Sequence, residues 1–425
     1  MANRMRPSTF ALRQWSYDLD SNLLFRPAVW LVSLLGLGAL LPMVEAALAA
    51  DYPAFAALSR FLSTEPASAQ LLMATVAGAV MTVVSVVYSI LLVALSLASM
   101  QFSTRILAGF MRDRVSRSVL GLFVGTLAYC LAVVRAIHTD PPFVPGVALT
   151  LGLALALCCL GGLVLFIHHI VKSIQANVLV DRIATETEAV LDAVYPPRPG
   201  PDAPFPEGEL PHVFPAPASG YIQLIDVAGL LRFAPGARVR VERPNGAFIA
   251  RGLPLLRADR PFPAGVGACV DIGAMRTMQD DAEFGFRQIV DIALKAISPA
   301  INDPSTGATC IDHLGRLLLH TAGRECGPRV HAGNGALVYL PVPRFVDLLD
   351  LSVEQLRQYG RADMAICLRL MRVLGEVAPT VHQPAARARI REHADAIRHE
   401  AAQHFPAHDR GELEVRYERV VAGSG

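Results

Sequence analysis

Four long stretches that are almost free of charge occupy the first 171 residues, and nothing like them follows. They run at 28–50, 71–100, 118–137 and 143–171, and each reaches or approaches the ~20 apolar residues that cross a ~30 Å hydrocarbon core as helix. The pattern predicts an α-helical polytopic membrane domain of four transmembrane helices over 28–171, preceded by an arm at 1–27. The first stretch ends in Ala47-Leu48-Ala49, which has the look of a signal-peptidase site. Its apolar run is too long for a signal core and follows a long polar arm, so an uncleaved span is expected. Glu45, near the end of that span, is expected to reach the membrane interface.

Beyond residue 171 the pattern changes three times. Charges return at 172–194 while apolar residues keep a helical rhythm, which predicts a helix carried out of the membrane. Residues 195–219 are rich in proline and form a linker. Short β-branched runs separated by Pro, Asn and Gly at 220–275 predict a small β-barrel or sandwich, with Asn245-Gly246 as a hairpin signal. Residues 280–410 return to helical spacing, and 411–425 are left as a tail. The expected fold class is therefore a four-span membrane protein with a cytosolic α+β region, part β subdomain and part helical subdomain.

Arginine sets the expected orientation. The arm carries Arg4, Arg6, Arg13 and Arg26, and the second connection carries Arg105, Arg112, Arg114 and Arg117. The first and third connections hold only Arg60 and Arg135. Positive-inside bias then places both termini and the middle connection in the cytoplasm.

The second stretch has a further pattern. Positions Thr75, Gly78, Thr82, Ser85, Ser89, Leu92, Ser96 and Ser99 follow one another at 3.5-residue spacing and share one helix face. Seven of these eight are small or hydroxylated. Such a face either lines a solute path, with Leu92 as an apolar constriction, or lets helices pack closely.

A second candidate lies at 295–310, "KAISPAINDPSTGATC". Arg287, Asp291 and Lys295 recur at i,i+4 along the preceding helix as an ion-pair ladder. Pro299 ends that helix beside Ser298, and Asp303 with Pro304 starts the next as N-cap and first residue. The stretch reads as a helix–turn–helix corner that gathers Asn302, Asp303, Ser305 and Thr306 near a helix N-terminus, where an anion or a subunit contact is conceivable.

Composition narrows the classes. With 53% hydrophobic and 18% charged residues and a mean hydropathy of +0.40, the 425-residue chain is too apolar for an ordinary soluble protein. A net charge of +1 without basic blocks gives no nucleic-acid-binding face. The seven cysteines form no CxxC pair and read as free thiols. No metal or cofactor is expected, because the histidines show no ligand spacing and no Walker or dinucleotide glycine pattern occurs. Nor is an enzyme: there is no nucleophile elbow and no HExxH, and adjacent Asp312 and His313 point about 100° apart on a helix.

Several segments together resemble a bacterial family of predicted integral membrane proteins known only as a domain of unknown function. They are "LLFRPAVW", "VSVVYSILLVALSLASMQFSTRIL", "HHIVKSIQANVLVDRI" and, most specifically, "FGFRQIVDIALKAISPAINDPSTGATCIDHL". The resemblance covers nearly the whole chain. It implies an inner-membrane location and four spans, and it brings no activity, catalytic residue or cofactor.

Two functions follow as expectations. The first is an oligomeric channel or passive transport protein for ions or small solutes, with the cytosolic region in assembly or regulation; four spans seldom enclose a path alone, hence a homo-oligomer in the lipid bilayer. The alternative is a membrane-anchored sensor or scaffold that binds a ligand or protein through the corner at 298–306.

Overall fold

The structure, a computed structural model, describes residues 25–101, 114–140, 142–173, 175–195 and 205–424. The arm through residue 24 with Arg4, Arg6 and Arg13, the stretch 102–113 with Arg105 and Arg112, and linker residues 196–204 lie outside it, as do the side chains of Ser99 and Arg114. The chain divides at Gln175 and Ala176 into two compact units.

The first unit holds α1 (Phe25–Asp51), α2 (Pro53–Leu62), α3 (Pro66–Gln101), α4 (Arg114–Ala136) and α5 (Gly146–Ser173), with a small strand pair, β1 (His138–Thr139) and β2 (Pro142–Phe143), between the last two helices. Helices α1, α3, α4 and α5 are long and apolar enough to cross a membrane, as the hydropathy pattern predicts. The short helix α2 was not anticipated. Helix α4 is the centre of the unit, with 56% of its apolar window buried against 22% in each of the other three.

Small residues set that centre. A Cβ on Gly38 would sit 2.9 Å from the Tyr129 carbonyl oxygen, and one on Gly125 would sit 2.9 Å from that of Trp30. Glycine therefore lets the backbones of α1 and α4 approach, the usual route to close packing where no hydrophobic effect drives association. Met73, Val80, Val84 and Val87 of α3 are buried with Tyr129, Leu120 and Phe123 of α4 in two apolar clusters. Arg117, read above as a connection residue, lies inside α4 with only 2% exposure.

In the second unit the expected continuous helix is broken: α5 ends at Ser173 and a separate α6 (Ala176–Val194) begins. Its Leu179, Val180, Ile183 and Leu191 are buried, so α6 takes its position from the second unit's own core. Strands follow as β3 (His212–Pro215), β4 (Gly220–Ile225), β5 (Arg238–Val241), β6 (Phe248–Ile249), β7 (Pro254–Ala258) and β8 (Val270–Gly273), with a short α7 (Val227–Phe233) after β4. Helices α8 (Ala282–Ala296) and α9 (Pro304–Ala322), strands β9 (Arg329–Gly333) and β10 (Ala336–Leu340), and helices α10 (Phe345–Gly360), α11 (Met364–Val377), α12 (Pro384–His404) and α13 (Gly411–Gly423) complete it.

The strands form two sheets, ordered β3-β7-β5-β10-β9 and β6-β4-β8, over one shared apolar core that includes Ile222, Val239, Ile249, Leu256 and Val338. Neither closes into a barrel. Four expectations are corrected here. The linker contributes β3, an edge strand whose Pro215 sits at a register shift, where proline costs no ladder bond. Asn245-Gly246 makes no hairpin, since β5 pairs with β7 and β10 while β6 pairs with β4; Gly246, at φ +81°, carries the chain from one sheet to the other. The stretch expected to be helical contains the β9–β10 hairpin, whose two-residue turn Asn334-Gly335 has φ of 51° and 71° and so has the primed geometry that fits strand twist. Its β10 then pairs in parallel with β5. The expected tail is α13, which packs on α11 and α12.

Candidate functional site

The hydroxyl face of α3 points away from the rest of its unit. Thr75, Gly78, Thr82, Ser85, Ser89, Leu92 and Ser96 are all exposed, while the opposite face of the same helix is buried. The hydroxyls turn back on their own helix: Thr75 Oγ1 donates to the Leu71 carbonyl at 2.7 Å, Thr82 to Gly78 at 3.0 Å, Ser85 to Met81 at 3.1 Å and Ser89 to Ser85 at 2.9 Å. No atom lies within 4 Å of a Cβ built on Gly78. Among the described residues no other helix packs on this face.

The corner between α8 and α9 is built as its residues predict. Helix α8 stops at Ala296 before Pro299, and the Asp303 amide donates back to the Ala296 carbonyl at 2.8 Å. Asn302 takes φ 51°, which lets its own amide reach the Ser298 carbonyl at 2.8 Å, and Ser298 Oγ donates to the Lys295 carbonyl at 2.7 Å. Asp303 caps α9: its carboxylate accepts from the Thr306 amide at 3.0 Å and the Thr306 hydroxyl at 2.6 Å. Those two bonds, the hydroxyl's first, hold the carboxyl below the usual carboxylate range. A charged carboxylate thus already occupies the helix N-terminus where an anion was envisaged. Ser305 is exposed, and its carbonyl accepts from Thr309 Oγ1 at 3.1 Å. Of the ladder residues, Asp291 and Lys295 are half-buried on α8, and Arg287 reaches across to Gln355 of α10 at 2.7 Å.

A third cluster was not anticipated from the sequence. Glu45 is enclosed by the protein, with 1% exposure. Its Oε1 accepts from Ser59 Oγ of α2 at 2.5 Å and from the Val147 amide at 2.9 Å, and its Oε2 from the Ala148 amide at 3.2 Å. The carboxylate of α1 therefore caps the N-terminus of α5, where unpaired N–H groups and the positive end of the helix dipole favour a negative charge. Tyr129 of α4 donates to the Ala148 carbonyl at 2.7 Å in the same place. The signal was available, because Glu45 is the only carboxylate within the four apolar stretches.

Asp312 accepts from Arg369 Nη1 at 3.0 Å and pairs with Arg372, which accounts for it structurally. Among the described residues no group of three or more His, Cys, Asp or Glu is arranged to hold a metal ion.

A family described as "Predicted membrane protein (DUF2254)" matches residues 20–376. Uncharacterized proteins of Mycobacterium tuberculosis and Mycobacterium bovis are each 32% identical over 347 residues. The alignments cover 76% of this chain and 66% of each relative, so the chain spans just under two thirds of their length. No solved structure matches the chain significantly.

Proposed function

The chain belongs to the DUF2254 family of predicted membrane proteins, and from that premise we propose that it forms an oligomeric channel or passive transport protein for ions or small solutes. Copies associate in a bacterial inner membrane with both termini in the cytoplasm, and the second unit serves assembly or regulation. No catalytic step is assigned to it. The single observation that supports this reading is the outward hydroxyl face of α3. The hydroxyls of Thr75, Thr82, Ser85 and Ser89 each donate their proton to a backbone carbonyl yet keep oxygen lone pairs for a solute or water, and several such faces around an axis would enclose a path that one chain cannot.

The test places single cysteines at Thr82, Ser85 and Ser89 in a chain freed of its native cysteines and applies a membrane-impermeant thiol reagent. Labelling at all three, with solute flux in proteoliposomes that changes in Ser89→Leu, is the expected result. No labelling in a protein that still assembles, with flux indifferent to Ser89→Leu, overturns it.

One observation favours the alternative, a membrane-anchored sensor or scaffold. Pro299, Ala300, Ile301 and Asn302 stand exposed at the apex of a corner whose backbone is already hydrogen-bonded. Under that reading Asn302→Ala removes a specific binding partner, and liposomes show no flux at all.

A further inference from the structure

We propose that α2 is a lipid-binding helix that lies in the membrane interface, with one face held by the protein and the other placed among headgroups and upper acyl chains. The proposal is independent of the channel reading.

Its ten residues, PAFAALSRFL, have two distinct faces. Ser59 is buried, with Phe55, Ala56 and Leu62 half-buried beside it, and this side faces the transmembrane unit. The attachment is specific: Ser59 Oγ donates to Glu45 of α1 at 2.5 Å. Its backbone also runs so close to the start of α5 that a Cβ on Gly146 would lie 2.1 Å from the Ser59 carbonyl oxygen. Neither contact leaves α2 free to swing.

Ala54, Ala57, Leu58 and Phe61 recur at i, i+3, i+4 and i+7, so they form a single stripe, and all four are exposed. Leu58 is 49% exposed and Phe61 85%. An apolar stripe of this kind, rigidly presented, needs a cover. Two facts select lipid. The helix is tied to membrane-crossing helices at both ends, α1 ending at Asp51 and α3 starting at Pro66, so it cannot leave the bilayer surface. The unit to which its other face is fixed also leaves large apolar side chains of its membrane-capable helices open, Leu71 and Leu157 each at 70% exposure, as a surface bordering lipid would.

The polar flanks agree. Tyr52 at the N-terminus is 60% exposed, and Arg60 is exposed beside the apolar stripe. An aromatic ring with a polar tip and a long cationic side chain are the groups that sit at headgroup level while their neighbours enter the acyl region. The partner is thus a phospholipid surface, met through acyl chains by Leu58 and Phe61 and through phosphate by Arg60.

The experiment uses the full chain in phospholipid vesicles. The two native tryptophans, Trp15 and Trp30, are replaced by phenylalanine, and Phe61→Trp supplies the probe, with Leu58→Trp as an independent second. Emission should be blue-shifted and should fall about twofold with lipids brominated near the headgroup, less with lipids brominated near the chain end, and not with aqueous iodide. Quenching by iodide and not by brominated lipid would put the stripe in water and overturn the proposal. Quenching by neither, with Phe61→Cys copies forming a disulfide across two chains, would also overturn it by making a second copy the cover.

Discussion

In the first unit large apolar side chains lie open, Leu157 at 70% exposure and Phe61 at 85%, whereas in the second Phe286, Leu318 and Leu374 have no exposure at all. Polar groups add a second contrast. The hydroxyls of α3 bond to their own helix four residues back; the second unit has such bonds too, at Thr187 and Ser352, but also ties helices together through charge. There Arg316 of α9 pairs with Glu188 and Asp181 of α6, Arg324 pairs with Asp192, and Arg389 of α12 pairs with Asp350 of α10. Water and hydrocarbon impose these two rules. Hydrocarbon offers no partner to a stray polar group, so each must be satisfied inside its own segment or by a dedicated acceptor. Water lets long charged side chains meet at the surface for a small gain and leaves stability to the apolar core.

The contrast predicts unequal responses to the same kind of truncation. Phe286→Ala, in a helix packed against α6, α9 and α10, should cost ~3–5 kcal/mol by loss of burial and a residual cavity. Leu157→Ala on the open face of α5 should stay within about 0.5 kcal/mol in detergent. Denaturant unfolding of the purified full chain, followed by hydrogen exchange in each unit, separates the two. Equal losses would dissolve the comparison.

Glu45→Ala is the next largest effect, a polar deletion that should harm the first unit. It leaves a hydroxyl and two amides without their acceptor in a buried place, a loss of roughly 2–4 kcal/mol, while Glu45→Gln keeps one acceptor oxygen and should lose less. Thermal unfolding in detergent, read by exchange at α2 and α5, measures it. Smaller again is Asp303→Ala in the second unit, about 1 kcal/mol for a lost cap, recovered by Asp303→Asn because asparagine caps as well as aspartate. An Asp303→Asn variant as unstable as Asp303→Ala would mean that the charge matters more than the cap.

How much of this was legible in the sequence depended on how local the cause was. The four spans were legible because twenty apolar residues add their transfer energies whatever surrounds them. The corner was legible because Asp303, Pro304 and Thr306 act within one turn. What failed was long-range. The partners of Glu45 lie 14, 102 and 103 positions away, so no local spacing announces a cap supplied by another helix. The outward direction of α3's hydroxyl face was equally hidden, since neither face of that helix carries charge between Leu71 and Leu97 and only packing against Tyr129 and Phe123 decides which is covered. Asn-Gly occurs twice with opposite outcomes. At 334–335 both flanking strands pair with each other; at 245–246 they belong to different sheets, and only the finished core distinguishes the two.

The smallest expected effect concerns the one histidine that the second unit encloses. His393 of α12 is 3% exposed, and its Nε2 lies 2.7 Å from Asp350 Oδ1, the oxygen that also accepts from Arg389 Nε at 2.7 Å. Burial holds its pKa below the ordinary histidine value; Asp350 opposes that shift, and Arg389 and Arg357 reinforce it. A base with a lowered folded pKa binds fewer protons folded than unfolded. Its contribution is therefore fully present above about pH 6.5, the unfolded value, and is lost as pH falls through the folded one. Melting of the second unit should accordingly move down between neutral and mildly acidic pH, and His393→Asn, which keeps a donor for Asp350 and removes the titration, should flatten that dependence. If the slope survives in His393→Asn, the proton enters elsewhere, and the surface ion pairs that set this unit apart from the first become the place to look.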